Sequence, residues 1–167
     1  MLEPEIYDPR ADTWTPVAPM AVPRQYHSIA VLLPDGRVLT AGGIDPSPGV
    51  TERDQRAMEV FSPAYLSRGP RPVITNAPAN VAYGADFDID SPDADDIDSV
   101  VFLRPCSMTQ HTDAGQRVVR LEIRSRDPGT LTLGAPANGN VAPPGYYMLF
   151  IVSATGVPSE AHFVRIG

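Results

Sequence analysis

The sequence predicts an all-β chain whose larger part is an immunoglobulin-like sandwich. Three observations predict it. Short apolar runs alternate with period two, as half-buried strands do. The 19 prolines and 13 glycines fall between those runs, so they mark turns rather than disorder. After a punctuated stretch, Ser67 to Pro72, about seven short strands follow at near-regular spacing, the pattern of a sandwich.

The bulk composition fits a folded domain or two small ones, with 43% hydrophobic and 20% charged residues in a chain of 167. A formal net charge of −7 argues against nucleic acid as a partner, because phosphate binding needs a basic surface. No apolar run is long enough to cross a bilayer. A single cysteine, Cys106, excludes an internal disulfide and reads as a small buried apolar residue. The opening MLEPEIYDPR has neither the basic end nor the apolar core of a signal peptide.

The first element is a strand carrying Tyr7, followed by an Asp8-Pro9 turn and Trp14. The next is a hairpin, Arg24 to Gly43. Ile29, Val31 and Leu33 alternate with Ser28, Ala30 and Leu32, and Pro34-Asp35-Gly36 turns the chain into Arg37-Val38-Leu39-Thr40. Tyr26 and His27 head the first strand, and Gly42-Gly43 close the second. Adjacent side chains on a strand point to opposite faces unless the backbone bends, so the pair is not by itself a site. A polar loop from Asp45 to Arg56 is expected to be solvent-exposed, and Met58 to Ser62 forms a further strand.

The Arg24–Gly43 string resembles the last propeller repeat of the galactose oxidase and glyoxal oxidase family, the copper radical oxidases. Arg24, Tyr26-His27-Ser28, Leu32-Leu33-Pro34-Asp35-Gly36-Arg37-Val38 and Gly42-Gly43 carry the resemblance. It implies that residues 1–68 are part of a kelch β-propeller, the end of one blade and about one more. Propeller blades carry such aromatic motifs, and about three repeats are needed for a stable array. It also implies that residues 69–167 form the family's early-set sandwich.

Within that second part, strands are predicted at Pro72–Ile74, Asn80–Tyr83, Asp86–Asp90, Ser99–Arg104, Gln116–Ser125, Thr130–Gly134, Tyr146–Ser153 and Glu160–Ile166. Asp86, Asp88 and Asp90 have the spacing that opens a calcium loop, but Ser91 and Ile97 stand where Gly and Glu are required. They are read as the wet face of a strand. Two strands flank a polar tip, Thr109 to Gly115, that carries His111. Thr109-Gln110-His111 and Gln116-Arg117 resemble the family hairpin that reaches the propeller axis with a copper-ligating histidine. The closing string APPGYYMLFIVSATGVPSEAHFVRIG resembles the family's C-terminus, with His162 structural.

The resemblance implies copper as cofactor, with Tyr26, His27 and His111 as ligands and Tyr26 as the plausible base. Copper(II) suits imidazole and oxygen donors with an open position. In the family a second tyrosine, cross-linked to a cysteine, holds a radical, and neither Cys106 nor Tyr7 matches that pair. The chain therefore reads as a C-terminal fragment, inactive alone, whose expected partner is an upstream propeller on the same or a separate chain. It would be extracellular if it belongs to a secreted member. The alternatives are a non-catalytic module binding carbohydrate or protein, and a structural fragment that homo-oligomerises through open blade edges.

Overall fold

In the computed structural model, residues 3–45, 47–49, 55–109 and 112–167 are described. Fourteen strands and two single 3₁₀ turns, Ala64–Ser67 and Ala94–Asp96, are found there, with no α-helix among the described residues.

The N-terminal part holds five strands. The hairpin β1 (Glu5–Asp8) and β2 (Thr13–Pro16) stands apart, pairing Tyr7 with Trp14. Antiparallel β3 (Ser28–Leu32), β4 (Val38–Gly42) and β5 (Met58–Phe61) form a three-stranded sheet in that order. The β3–β4 turn falls at Pro34-Asp35-Gly36, as the sequence predicts. Gly36 has φ +82° and donates its N–H to the Leu33 carbonyl at 2.9 Å, and proline pre-sets the preceding bend.

Seven strands build the C-terminal part: β6 (Asn80–Val81), β7 (Asp86–Asp90), β8 (Ile97–Leu103), β11 (Val118–Asp127), β12 (Thr130–Gly134), β13 (Gly145–Ser153) and β14 (His162–Ile166). A small hairpin, β9 (Met108–Thr109) and β10 (Thr112–Asp113), lies between β8 and β11. The order is β6-β14-β13-β8-β11-β12-β7. β11 joins the two layers: Val118–Leu121 pair with β8 and Glu122–Asp127 with β12, with an irregularity between Ile123 and Ser125. Such irregularities bend a strand. β7 and β8 are three strand steps apart, about 14 Å in a flat sheet, yet Phe87 of β7 and Phe102 of β8 stack at 6.1 Å. The sheet therefore folds over on itself, as an immunoglobulin-like sandwich does.

The core fills the fold. Ile89, Phe102, Leu131, Leu133, Tyr147 and Leu149 are among its fully buried residues. The Tyr147 hydroxyl donates to the Pro143 carbonyl at 2.9 Å, so its polar tip is satisfied. β13 is buried on both faces. Tyr147, Leu149 and Ile151 enter the core, while Met148 and Phe150 are also buried but lie outside that cluster. This is why GYYMLFIVS is a continuous apolar run and not an alternating one. On the outer face, Phe150, Val101 and Leu103 share an apolar seam of about 210 Å³ with Leu32 and Tyr65 of the N-terminal part.

Arg71 fixes the joint between the two parts. Its Nε donates to the Pro158 carbonyl at 3.0 Å, Nη1 to Asp35 at 2.8 Å and Nη2 to Ser159 at 2.7 Å. The Ala161 N–H reaches the Pro34 carbonyl at 2.8 Å, and the Tyr65 hydroxyl donates to the Gly36 carbonyl. The tip of the β3–β4 hairpin is thus seated against the β13–β14 connection.

One expectation needs correction. Pro72–Ile74 is not a strand: the pairing nearby is an isolated bridge two residues further on, Asn76 with Asp90. Pro72 has no N–H to give a ladder, and the Val73 N–H goes to the Asp93 carboxylate at 2.9 Å. Within the sandwich β6 pairs parallel with β14, and the other neighbouring strands pair antiparallel. At the polar tip Thr109–Gly115, Thr109 and Thr112 pair within the small hairpin. Asp86, Asp88 and Asp90 behave as read: Asp88 accepts from Thr132 at 2.7 Å, Asp90 from Thr130 at 3.0 Å, and Ile89 between them is buried. In the loop Asp45–Arg56, Pro46 and residues 50–54 lie outside the described residues.

Candidate metal centre

Tyr26 and His27 are brought to one side of the chain. His27 has φ +66°, a left-handed conformation that histidine tolerates better than most residues and that costs about 1 kcal/mol. This bend removes the strand alternation that would separate the two side chains. Their rings stack, with centroids 3.9 Å apart and planes 25° apart. Both are exposed, Tyr26 at 52%.

The neighbouring sequence explains how the bend is held. The Gln25 N–H donates to the Ile44 carbonyl at 3.2 Å, and Ser28 N–H to the Gln25 carbonyl at 3.0 Å. A Cβ on Gly42 would lie 3.1 Å from the His27 carbonyl oxygen. One on Gly43 would lie 3.1 Å from Ser28 Cβ, 3.2 Å from Arg24 Cβ and 3.3 Å from Gln25 N. Both glycines also have positive φ, +63° and +92°. The pair therefore serves twice, giving the backbone geometry and the close approach of the Tyr26-His27 segment.

Beneath the segment lies Arg24, 7% exposed. Its Nη1 donates to the Gly42 carbonyl at 2.9 Å and its Nη2 meets Glu59 Oε1 at 3.2 Å. Glu59 Oε2 accepts the Ala21 N–H at 2.7 Å. That backbone bond, then the guanidinium, holds the Glu59 carboxyl below its ordinary range against partial desolvation. Sequence reasoning gave Arg24 no role and read Glu59 only as a strand position. The available signal was a lone acid, Glu59, in the otherwise apolar strand MEVF.

His111 lies outside the described residues, as does Gln110. The segments that flank them are placed. β9 lies beside β3. Partial burial pushes the Cys106 thiol pKa up, against the influence of the nearby Leu32 backbone N–H, and Asp113 beside it adds to the rise. Asp113 in turn accepts the N–H groups of Ser107 at 2.9 Å and Gly115 at 3.0 Å, and these lower its pKa. A cleft of about 450 Å³ runs between β3 and the base of this hairpin, lined in part by Leu32, Arg104, Cys106, Gln116 and Arg117. The hairpin of the sandwich thus reaches the strand whose head carries Tyr26-His27.

Among the described residues, no group of three or more His, Cys, Asp or Glu could hold a metal ion. The donors that are placed, a phenol and an imidazole side by side, fit copper(II) chemically. Cys106 is engaged with Asp113 and the Leu32 backbone. His162, on β14 opposite Leu149, takes part in the sandwich ladder.

The fold and the chain's relatives identify its class. The family model for the galactose oxidase-like early set domain matches residues 71–166, so the chain belongs to that family. Galactose oxidase from Gibberella zeae is 34% identical over 169 residues, covering 98% of this chain and 24% of the relative. Aldehyde oxidase GLOX from Vitis pseudoreticulata is 36% identical over 168 residues, covering 90% of this chain and 31% of the relative. A solved fungal alcohol oxidase of the AA5 family, in complex with copper, superposes with a TM-score of 0.88 at 32% identity, over 99% of this chain and 36% of that one. The chain thus spans about a quarter to a third of the length of the curated relatives it matches.

Proposed function

We propose that this chain is the C-terminal portion of a copper radical oxidase that acts on a primary alcohol or aldehyde. Its residues 1–68 would be the end of a kelch propeller and 69–167 the early-set sandwich. Tyr26, His27 and His111 would hold copper. The observation that carries this reading is the Tyr26–His27 stack on a left-handed bend, which puts an oxygen and a nitrogen donor on one side. Copper beside a phenoxyl radical would supply the two-electron oxidation of substrate, with O2 reduced to hydrogen peroxide.

This chain's residues would bind and orient the ion and keep one proton acceptor, Tyr26, close to it. Gly42 and Gly43 would fix the donors. The β9–β10 hairpin, anchored on β3 through Cys106 and Asp113, would carry His111 towards them. Cys106 is not the cross-linked cysteine in this reading, so the radical cofactor would come from a further propeller portion. That portion would also cover the apolar side chains that stand exposed here, Trp14 at 63% and Met58 at 70%. The edge strand β5 and those side chains equally suit a second copy of the chain, which is the homo-oligomer reading.

The test is peroxide production from galactose, glyoxal and simple primary alcohols with copper added. The chain alone is expected to give none. The chain combined with a separately produced propeller portion of the family is expected to turn over in a copper-dependent way. A mixture that associates and binds copper but makes no peroxide refutes the oxidase assignment and leaves a binding module.

A further inference from the structure

Arg24 is a buried charge whose role the copper-site reading leaves open. Its side chain is 2% exposed, yet among the described residues its Nε has no hydrogen-bond partner. Burying a guanidinium is unfavourable unless its donors are matched. Here Nη1 and Nη2 are matched, while Nε carries the cost of burial. What the two matched groups hold is specific. Nη1 holds the Gly42 carbonyl, and Gly42 packs against the His27 carbonyl. Nη2 holds Glu59, whose other oxygen holds the Ala21 N–H at the approach to the segment. The Cβ of Arg24 itself packs where a Gly43 Cβ would stand. Arg24 therefore touches both glycines' surroundings and ties the strand head to β4 and β5, two residues before the Tyr26-His27 bend.

We propose that Arg24 is the positioning residue of the Tyr26–His27 pair, and that the Arg24–Glu59 ion pair sets the left-handed bend at His27. A lysine cannot replace it, because a single ammonium cannot reach the Gly42 carbonyl and Glu59 in the same planar fork. The inference rests on the proposed copper site only for its functional consequence; the geometry itself is independent of any metal.

The experiment uses the full chain in three forms: unaltered, Arg24→Lys and Glu59→Gln. Proton NMR reads the ring-current shift that the Tyr26 ring imposes on the His27 imidazole protons, alongside resonances of the core residues Phe102 and Tyr147. Copper(II) affinity is measured on the same samples. In Arg24→Lys the His27 ring-current shift is expected to be lost while the Phe102 and Tyr147 resonances stay in place, and copper affinity to fall tenfold or more. Glu59→Gln, the milder change, is expected to halve the shift and keeps the test valid should Arg24→Lys fail to fold. A His27 shift that survives in a folded variant overturns the inference. So does its absence in the unaltered chain. If the shift is lost as expected but the unaltered chain binds no copper, the positioning role stands and the copper-site reading fails.

Discussion

Replacing Gly43 with alanine tests the packing that brings Tyr26 and His27 together. Gly43 has φ +92°, and an L-residue there costs about 1–2 kcal/mol. The added Cβ would also sit 3.1 Å from Ser28 Cβ, 3.2 Å from Arg24 Cβ and 3.3 Å from Gln25 N. Two of these three neighbours are Cβ atoms and one is backbone, so none is the yielding end of a flexible side chain. Overpacking of this kind costs about 1–3 kcal/mol. The sum is about 2–5 kcal/mol. Gly129 is the control, with φ +81° and no described residue within 4 Å of an added Cβ, so Gly129→Ala carries only the backbone term of about 1–2 kcal/mol. Thermal unfolding followed by circular dichroism reads both, at about 2–4 °C per kcal/mol for a chain of this size. Gly43→Ala is expected to lower the midpoint of the transition that melts β3–β5 by about 4–20 °C, more than Gly129→Ala lowers its own. Equal shifts in the two variants would refute the close approach as the reason for Gly43.

Two further perturbations address the joint and its charges. Arg71→Ala removes three bonds from a guanidinium to carbonyls, each worth about 1.5–3 kcal/mol when charge-assisted. Rehydration of the half-exposed site offsets much of this, so a loss of about 2–4 kcal/mol is expected, read as separate melting of β3–β5 and the sandwich in denaturant. Unchanged, single-transition unfolding would contradict the clamp. The carboxyls of Asp35, Glu59 and Asp113 are all lowered, first by backbone N–H donors at Arg37, Ala21 and Ser107 respectively. A lowered pKa gives stability that is present above the unfolded carboxylate value, about 4, and lost as pH falls through the lower folded value. Stability is therefore expected to fall with acid below about pH 4, less steeply in Asp113→Asn. A pH profile that is flat in that range would show that these groups are not linked to folding.

The sandwich was legible because its signals are local. Asp86–Asp90 and Thr130–Gly134 alternate strictly, and both strands occur with those boundaries. The Pro34-Asp35-Gly36 turn was equally legible from turn chemistry. The fold of β11 between two layers was not, because VVRLEIRSRD reads as one long alternating strand and its change of partner depends on distant β12. Phe150 was in plain view within an apolar run, but on the outer face it borders the seam with Leu32 and Tyr65 of the N-terminal part, which no local pattern announces. At the site, the Tyr-His pair was visible, while its geometry was not. Alternation alone predicts opposed side chains, and the bend at His27 reverses that prediction. The bend follows from Gly42, Gly43 and Arg24 acting together, contacts separated by 18 residues in the Arg24–Gly42 bond. Glu59 is further still, 35 residues from Arg24, and no local pattern links them.

The most direct measurement is a crystal structure of the chain soaked with copper(II), with anomalous scattering locating the metal. Copper is expected on the Tyr26 phenol oxygen and the imidazoles of His27 and His111, with the Tyr26–His27 bend unchanged. Copper bound at other side chains, or no ordered copper while the stack is intact, would contradict the assignment of these three residues as its ligands.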